Sequence, residues 1–282
     1  MKRLNLTLAA LLLTGASVMT SCQKEDYTSA GNDSQEVILS IKDGSIEAEV
    51  STKITAVSSI PSTLSFSMTT GSNSSQVQKC APVNKTVSSN QISTGYYQTY
   101  AATAYNYYLS NVAMSFSASG NTVFADGTTT DVIAGKATSS STAPSVTMNH
   151  IFARTGSLSC TSSNSYSISN VTYKLKSKDN TTGRKGTYNI YSGSWSGTTK
   201  LDETVIDSSS DLYLVPGVYT LTVSGTETLG DYSDTFSGTV DITLVAGKIN
   251  NISVSRASDG ASQIVVTTSL ASWGTNNIKP SI

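Results

Sequence analysis

The chain has 282 residues with a formal net charge of −1, and charged residues make up only 13% of it. A surface so nearly neutral offers no basic field, which argues against binding to nucleic acid or to anionic lipid. Ser, Thr, Gly and Asn take the places of the usual charged residues, and the 14 Tyr outnumber Phe and Trp together. This composition favours β-strands joined by turns over helices.

The N-terminus has the pattern of an export signal. Lys2 and Arg3 precede the apolar stretch Leu4 to Val18, which is too short to span a membrane permanently. The stretch ends at Met19-Thr20-Ser21-Cys22, which resembles a lipobox, where the cysteine is lipidated and becomes the first residue of the mature chain. We therefore expect residues 1–21 to be removed and Cys22 to carry the lipid. The alternative is an ordinary signal peptide followed by an unrelated cysteine.

The mature part is long enough for two domains with their own cores. We expect a flexible leash over residues 22–35, an N-terminal domain over 36–143 and a C-terminal domain over 144–282. The junction is placed in Lys136 to Ala143, because nearly all of its residues are small and polar.

Alternating apolar residues bounded by turn residues predict half-buried strands along the mature chain, as in a β-sandwich or barrel. The residues predicted to share a strand face are Leu64, Phe66 and Met68; Met114 and Phe116; Val146, Met148, His150 and Phe152; Val171, Tyr173 and Leu175; Tyr219, Leu221 and Val223; Val240, Ile242 and Leu244; and Ile252 and Val254. One stretch, Thr130 to Lys136, is predicted to form a short helix or helical turn.

The sequence contains no recognisable catalytic constellation. His150 is the single histidine, no serine lies in a Gly-x-Ser-x-Gly turn, and the phosphate-binding and dinucleotide-binding glycine motifs are missing. The acidic loops Asp126 to Asp131 and Asp231 to Asp234 lack the spacing of a calcium loop and are predicted to be solvated turns. We therefore predict that the protein is not an enzyme, holds no metal or cofactor, and uses His150 as a buried structural residue.

Cys80 and Cys160 remain once Cys22 is assigned to the lipid. An exported protein meets an oxidising compartment, so a disulfide between them is one interpretation. Because the two residues fall in different predicted domains, two unpaired thiols are the other.

Several segments resemble, in their order along the chain, the Mfa-like fimbrillins, which are pilus subunits of Bacteroides-type bacteria. Val146 to Arg154 is similar to the His-x-x-Ala-Lys/Arg segment of that family, and Asp131 to Ala134 to the Asp-Leu-Leu-x-Ala segment before it. Further matches are Gly186 to Trp195, Leu212 to Gly217, Val245 to Asn250 and Ala271 to Gly274. Lys24-Glu25-Asp26 also resembles the surface-export signal of Bacteroidetes lipoproteins.

The resemblance implies an all-β protein with two tandem, transthyretin-like β-sandwich domains. It also implies a lipoprotein precursor on the surface of the outer membrane that becomes part of an adhesive pilus. Its partners would then be other pilus subunits and a host or bacterial surface ligand. In the family, a protease cuts after a basic residue near the start, the first strand leaves, and a strand of another subunit replaces it.

The residues before Ile60-Pro61 agree with such a cut. Two alternating runs, Val37 to Ile41 and Ile46 to Val50, precede Ser51-Thr52-Lys53-Ile54, which breaks the pattern. We predict Lys53 as the maturation site, with Lys42 as the second choice. Lys53 could instead be a charged residue on a sheet edge that discourages aggregation. The predicted donor strand is Ser262 to Ser269, with Ile264 and Val266 filling alternate pockets of a neighbour.

A surface glycan-binding lipoprotein is the alternative function. It would share the export signals and β-sandwich domains, and a cluster of tyrosines could stack on sugar rings: Tyr96, Tyr97, Tyr100, Tyr105, Tyr107 and Tyr108. Burial of Trp195 and Trp273 would favour a pilus subunit, whereas exposure of both in one groove would favour glycan binding.

We expect Cys22→Ala to abolish lipidation and to release the protein from the outer membrane. Acyl chains stabilise membrane attachment by about 0.8 kcal/mol per buried methylene group, and no other apolar segment is long enough to replace them. Metabolic labelling with a fatty acid, followed by membrane fractionation, measures both effects. Cys160→Ala is the matched control and should label normally; a Cys22→Ala chain that still labels would contradict the lipoprotein assignment.

Overall fold

The structure is a computed structural model that describes residues 34–44, 57–99, 104–162, 165–208, 211–256 and 264–272. The prediction of an all-β fold is confirmed, because these residues form strands and a single 3-10 helix, Asn73–Ser75. Within the same ranges, no helix has the length and apolar character needed to cross a membrane.

The strands before residue 151 are β1 (Ser34–Asp43), β2 (Thr63–Thr70), β3 (Val77–Thr86), β4 (Gln91–Thr99), β5 (Tyr105–Ser110), β6 (Met114–Ser115), β7 (Thr122–Asp126), β8 (Ile133–Ser139) and β9 (Ser145–His150). Those after it are β10 (Ala153–Ser162), β11 (Ser167–Ser177), β12 (Lys185–Asn189), β13 (Ser194–Thr199), β14 (Thr204–Ile206), β15 (Tyr213–Leu214), β16 (Gly217–Leu229), β17 (Tyr232–Leu244), β18 (Lys248–Arg256) and β19 (Ile264–Ser272).

Seven strands of the first half form one sheet, in the order β3-β2-β5-β8-β9-β1-β4. The edge strands β3 and β4 approach each other, so the sheet curls around a core. That core, called here the first core, consists chiefly of Val37, Leu39, Ile41, Leu64, Phe66, Met68, Ile92, Tyr107, Leu109, Val146 and Met148. The predicted buried face of β2 is confirmed, but Ser65, Ser67 and Thr69 on its other face are buried as well.

The second half contains two four-stranded sheets, in the orders β15-β10-β18-β19 and β14-β11-β16-β17. Apolar residues of both sheets form the second core, as in a β-sandwich. Tyr219, Leu221 and Val223 lie on one face of β16 and are fully buried, as their alternation predicts. Strands β16 and β17 form a hairpin that turns at Gly230, whose φ of 58° favours glycine.

A fourth sheet, in the order β13-β12-β7-β6, joins the two halves of the chain. Strand β7 pairs with β12 from Asp126↔Lys185 to Thr122↔Asn189, and the Lys185 ammonium lies 2.8 Å from the Asp126 carboxylate. Burial raises the pKa of the Asp126 carboxyl, but hydrogen bonds from Lys185 and Thr128 outweigh it and leave the pKa below its ordinary value. This contact therefore stabilises the fold at neutral pH, and acidification weakens it.

The structure corrects the prediction of a short helix or helical turn from Thr130 to Lys136. Residues 133–139 form β8 instead, which pairs with β5 from Ala134 to Ser139. Strand β9, predicted to open the second domain, pairs with β1 and β8, and its apolar residues Val146 and Met148 belong to the first core. The first core thus extends beyond residue 143; the division into domains at 143/144 stays a prediction.

Two smaller expectations also change. Strand β6 ends at Ser115, so Phe116 does not share the buried face of Met114 and is 39% exposed. Cys160 is a free thiol on β10, paired in the ladder with Val254, so the disulfide between Cys80 and Cys160 does not form. Burial raises the pKa of the Cys160 thiol, which makes it a poor nucleophile.

We expect Leu39→Ala to lower the free energy of unfolding by about 2–5 kcal/mol, because it leaves a cavity in the first core. Leu39 is fully buried in the middle of β1. Urea unfolding of the unprocessed chain measures the change. Lys42→Ala, on the exposed side of the same strand, is the control and should stay within about 0.5 kcal/mol of the parent. Equal stability of the two variants would show that β1 does not contribute to the core.

Candidate functional site

Strand β1 lies inside the seven-stranded sheet, between β4 and β9, although it is the first strand of the described chain. It runs antiparallel to β4 from Ser34↔Thr99 to Ser40↔Gln91, and parallel to β9 from Ser40↔Ser145 to Asp43↔Met148. Its side chains Val37, Leu39 and Ile41 are 0%, 0% and 5% exposed. The place that β1 occupies between β4 and β9, called here the β1 groove, is therefore lined by the first core.

Backbone hydrogen bonds also hold β1 along its length. The Ile38 N–H donates to the Thr142 carbonyl and the Ser40 N–H to the Pro144 carbonyl, each at 2.9 Å, while the Gly44 N–H donates to the Met148 carbonyl at 3.0 Å. A chain without β1 would expose these carbonyls together with the apolar groove, and any replacement strand would have to satisfy both.

The predicted processing residues fall on different parts of the chain. Cys22 and Lys53 lie outside the described residues. Lys42, the second choice for the cut, lies within β1 and pairs with Thr147 in the ladder, which protects its peptide bond from a protease.

The predicted donor residues lie on β19. This strand is an edge of its sheet, where Ile264 pairs with Arg256 and Val266 with Val254 of β18. Val266 packs, half-buried, against the second core. As an edge strand with one neighbour in the sheet, β19 could leave by breaking a single ladder.

His150 is buried, as predicted, and pairs with Asp131. The histidine Nδ1 lies 3.0 Å from Oδ1 and 2.9 Å from Oδ2 of the aspartate, and neither side chain is exposed. The expectation that Asp131 belongs to a solvated turn is wrong, because Asp131 is 1% exposed and lies two residues before β8, whose first three residues are buried.

Asp131 also fixes the chain that enters β2. Its Oδ2 accepts a hydrogen bond of 2.9 Å from the Val57 N–H, 74 residues earlier in sequence. Its backbone carbonyl accepts from the Asn111 amide at 2.8 Å, and the Asn111 Oδ1 accepts from the Ile133 N–H at 2.9 Å. The carboxylate thus connects His150, β8 and the residues that follow the predicted cut.

Charged and aromatic groups surround this pair where the two halves meet. Burial, with the nearby Asp131 charge, raises the pKa of the Tyr213 hydroxyl well above its ordinary value, so it stays protonated. Arg154 forms a 2.7 Å ion pair with Asp211. In the described ranges, no cluster of His, Cys, Asp or Glu side chains could hold a metal ion.

The tyrosine cluster does not form an exposed platform. Tyr96, Tyr105, Tyr107 and Tyr108 are buried, and the hydroxyls of Tyr96 and Tyr105 lie 2.9 Å apart. Only Tyr97, at 45%, is substantially exposed among the described members of the cluster. Trp195 is half-buried against the apolar cluster between the halves, and Trp273 lies outside the described residues.

A cavity of about 710 Å³ opens where β8 and β9 face the second half of the chain. We call it the interface cavity. Gly44, Lys136, Thr147 and Asn149 line it from the first half, and Tyr188, Trp195, Pro216 and Lys248 are among its residues from the second half.

Solved structures from Bacteroides and Parabacteroides species resemble this chain. A proposed cell adhesion protein from Parabacteroides distasonis is 9% identical, and the match covers 86% of this chain and all of that chain with a TM-score of 0.50. A fimbrial protein from Bacteroides vulgatus matches with 10% identity, the same coverage and a TM-score of 0.49. A proposed cell adhesion protein from Bacteroides uniformis is 14% identical, and the match covers 84% of this chain and 98% of that chain with a TM-score of 0.45.

At these identities the similarity to the Parabacteroides distasonis protein shows a shared fold. No protein-family model matches the chain, and no curated protein matches it either. The chain therefore shares an all-β fold with that protein, and a shared fold does not by itself imply a shared function.

We expect His150→Gln and Asp131→Asn each to lower the free energy of unfolding by about 1–3 kcal/mol, because each leaves a buried polar group without its partner. The amide that Asp131→Asn introduces offers one acceptor oxygen, whereas the carboxylate serves both His150 and the Val57 N–H. A double-mutant cycle in urea measures the coupling between the two side chains.

The exposed pair Lys174 and Glu203, 3.5 Å apart, provides the control. The same cycle there should give a coupling of at most about 1 kcal/mol. A coupling at Asp131 and His150 no larger than at this exposed pair would contradict the structural role. A His150→Gln chain with unchanged stability and a lost hydrolytic activity would overturn the prediction that the protein is not an enzyme.

Proposed function

We propose that this protein is a structural subunit of an adhesive surface pilus that assembles by exchange of β1 for a strand of another subunit. The observation that carries the proposal is the position of β1. The strand precedes the predicted cut at Lys53, yet it fills the interior of the first sheet with a fully buried apolar face. A strand that one cut can detach and that leaves a continuous groove is what strand exchange requires.

The precursor would reach the cell surface as a lipoprotein held in the outer membrane by Cys22. Because Cys22 and β1 lie on the same side of Lys53, a cut there separates both from the rest of the chain. After the cut, no covalent bond would hold the subunit to its anchor, so departure of β1 would both release the subunit and make the β1 groove available to a neighbour.

The incoming strand must repeat the spacing of Val37, Leu39 and Ile41, whose side chains point into the groove on alternate residues. Ile264 and Val266 have this spacing, with Thr268 and Leu270 following in the same register. The edge position of β19 supports its assignment as the donor. The partners of the protein would then be other pilus subunits, and no cofactor is involved.

Glycan binding through the tyrosine cluster has less support. A sugar ring needs an exposed aromatic face, whereas four of the described tyrosines are buried in the sheet. The buried pair of His150 and Asp131 likewise supports a structural protein over an enzyme.

We expect mild trypsin treatment of the purified precursor to produce a fragment that begins at Ile54 and polymerises. Lys53→Ala should remove both the cut and the filaments, because the remaining lysine nearby, Lys42, is protected within β1. N-terminal sequencing and negative-stain electron microscopy are the measurements.

Lys42→Ala is the matched control and should be cut and assembled like the parent. If the Lys53→Ala chain still forms filaments, the cut lies elsewhere or the protein is an uncleaved tip or anchor subunit. Cells with and without the gene, compared by electron microscopy, test the pilus assignment separately from the site of the cut.

A further inference from the structure

The interface cavity has the size and lining of a small-ligand site. Its volume of about 710 Å³ lies within the range of about 300–1,000 Å³ that is typical of such pockets. The wall combines aromatic rings with a few polar groups, which is the usual arrangement for orienting one ligand. The Thr147 and Asn149 side chains are on the exposed face of β9, where they line the cavity without contributing to the first core.

Two aromatic side chains form one side of the cavity. The Trp195 ring lies 5.2 Å from the Tyr188 ring and 5.3 Å from the Phe152 ring, measured between centroids. Strands β12 and β13 hold the first two rings next to each other, because Tyr188 pairs with Trp195 across the ladder. Phe152 is fully buried, and its contact with Trp195 fixes the position of an indole that also lines the cavity.

The charge of the lining is positive. Lys136 and Lys248 both contribute to it, and none of the described residues around the cavity is an Asp or Glu. The Lys136 ammonium donates to the Tyr191 carbonyl at 2.8 Å and lies 3.6 Å from the centre of the Tyr191 ring. An ammonium has three N–H donors, and this contact uses one of them. The site is thus complementary to a ligand that carries a negative charge.

We propose that the interface cavity binds a pyranose ring that carries a carboxylate, as in the acidic sugars of surface polysaccharides. The apolar face of the ring stacks on Trp195, the carboxylate accepts hydrogen bonds from the lysines, and the hydroxyls bond to Thr147 and Asn149. Such a ligand uses the aromatic rings, the two cations and the neutral hydrogen-bonding groups together. A neutral sugar would leave the lysines unused, and an inorganic anion would leave the rings unused. The proposal does not depend on strand exchange.

Sialyllactose and lactose are the test pair, because they share the lactose unit and only the first carries a carboxylate. Trp273→Phe leaves Trp195 as the single tryptophan of the chain, so a titration of the mature protein can follow its fluorescence. We expect a saturable change with sialyllactose and an affinity for lactose at least tenfold weaker, which corresponds to about 1.4 kcal/mol. Saturation-transfer NMR with the unsubstituted mature protein repeats the comparison without any change to the chain.

The double variant Lys136→Gln, Lys248→Gln should bind sialyllactose only as weakly as lactose and should leave lactose binding unchanged. Lys174→Gln, Lys178→Gln is the control. It removes the same charge from two exposed lysines that pair with Glu203 and Asp241, and it should bind like the parent. Trp195→Ala, followed by NMR, should weaken both sugars.

Three results would overturn the proposal. The first is equal affinity for the two sugars. The second is a loss of sialyllactose affinity in the Lys174→Gln, Lys178→Gln control equal to that in the Lys136→Gln, Lys248→Gln variant, which would indicate attraction by net charge alone. The third is the absence of saturable binding up to about 10 mM, ten times a weak affinity of about 1 mM. Filament formation by trypsin-treated protein is measured independently, so a failure of this site leaves the pilus assignment unaffected.

Discussion

The first core is complete only while a strand lies between β4 and β9. Val37, Leu39 and Ile41 of β1 belong to one core with residues from the other six strands of the sheet, and the backbone of β1 connects β4 to β9. The curvature that brings β3 towards β4 depends on this continuity, because without it the sheet would end at β9. The strand that is first in sequence is therefore also the one that closes the sheet.

The second constraint is the contact between the halves of the chain. The sheet that contains β7 and β12 pairs the two halves directly. Within the first half, Asp131 joins His150 at the end of β9 to Val57 before β2. Neither contact involves β1, and Val57 follows the predicted cut by four residues in sequence. The fold can therefore hold its two halves together, and hold the new N-terminus near Val57, while β1 is replaced.

Much of this architecture could be predicted from the sequence, because the alternation of apolar and polar residues along a strand indicates which side chains are buried. Tyr219, Leu221 and Val223 illustrate this, as does the single histidine on the buried face of β9. Partners distant in sequence could not be predicted. Nothing in Asp126 or Lys185 alone indicates that β7 and β12 pair, and Asp131 resembled a solvated loop residue because its short polar side chain is frequent in turns. A buried histidine needs an acceptor, and this requirement was the one available signal for Asp131.

Magnitudes constrain how strand exchange could proceed. Burial of an aliphatic side chain contributes about 1.5–3 kcal/mol, so Val37, Leu39 and Ile41 together contribute on the order of 5–9 kcal/mol. The free energy of unfolding of a whole domain is about 5–15 kcal/mol, so the first sheet would be only marginally stable with an empty groove. A cut chain should therefore keep β1 bound without covalent attachment until a donor strand displaces it. The lipid on Cys22 would then hold the subunit at the membrane through β1 alone, and the same displacement would both add the neighbour and release the anchor.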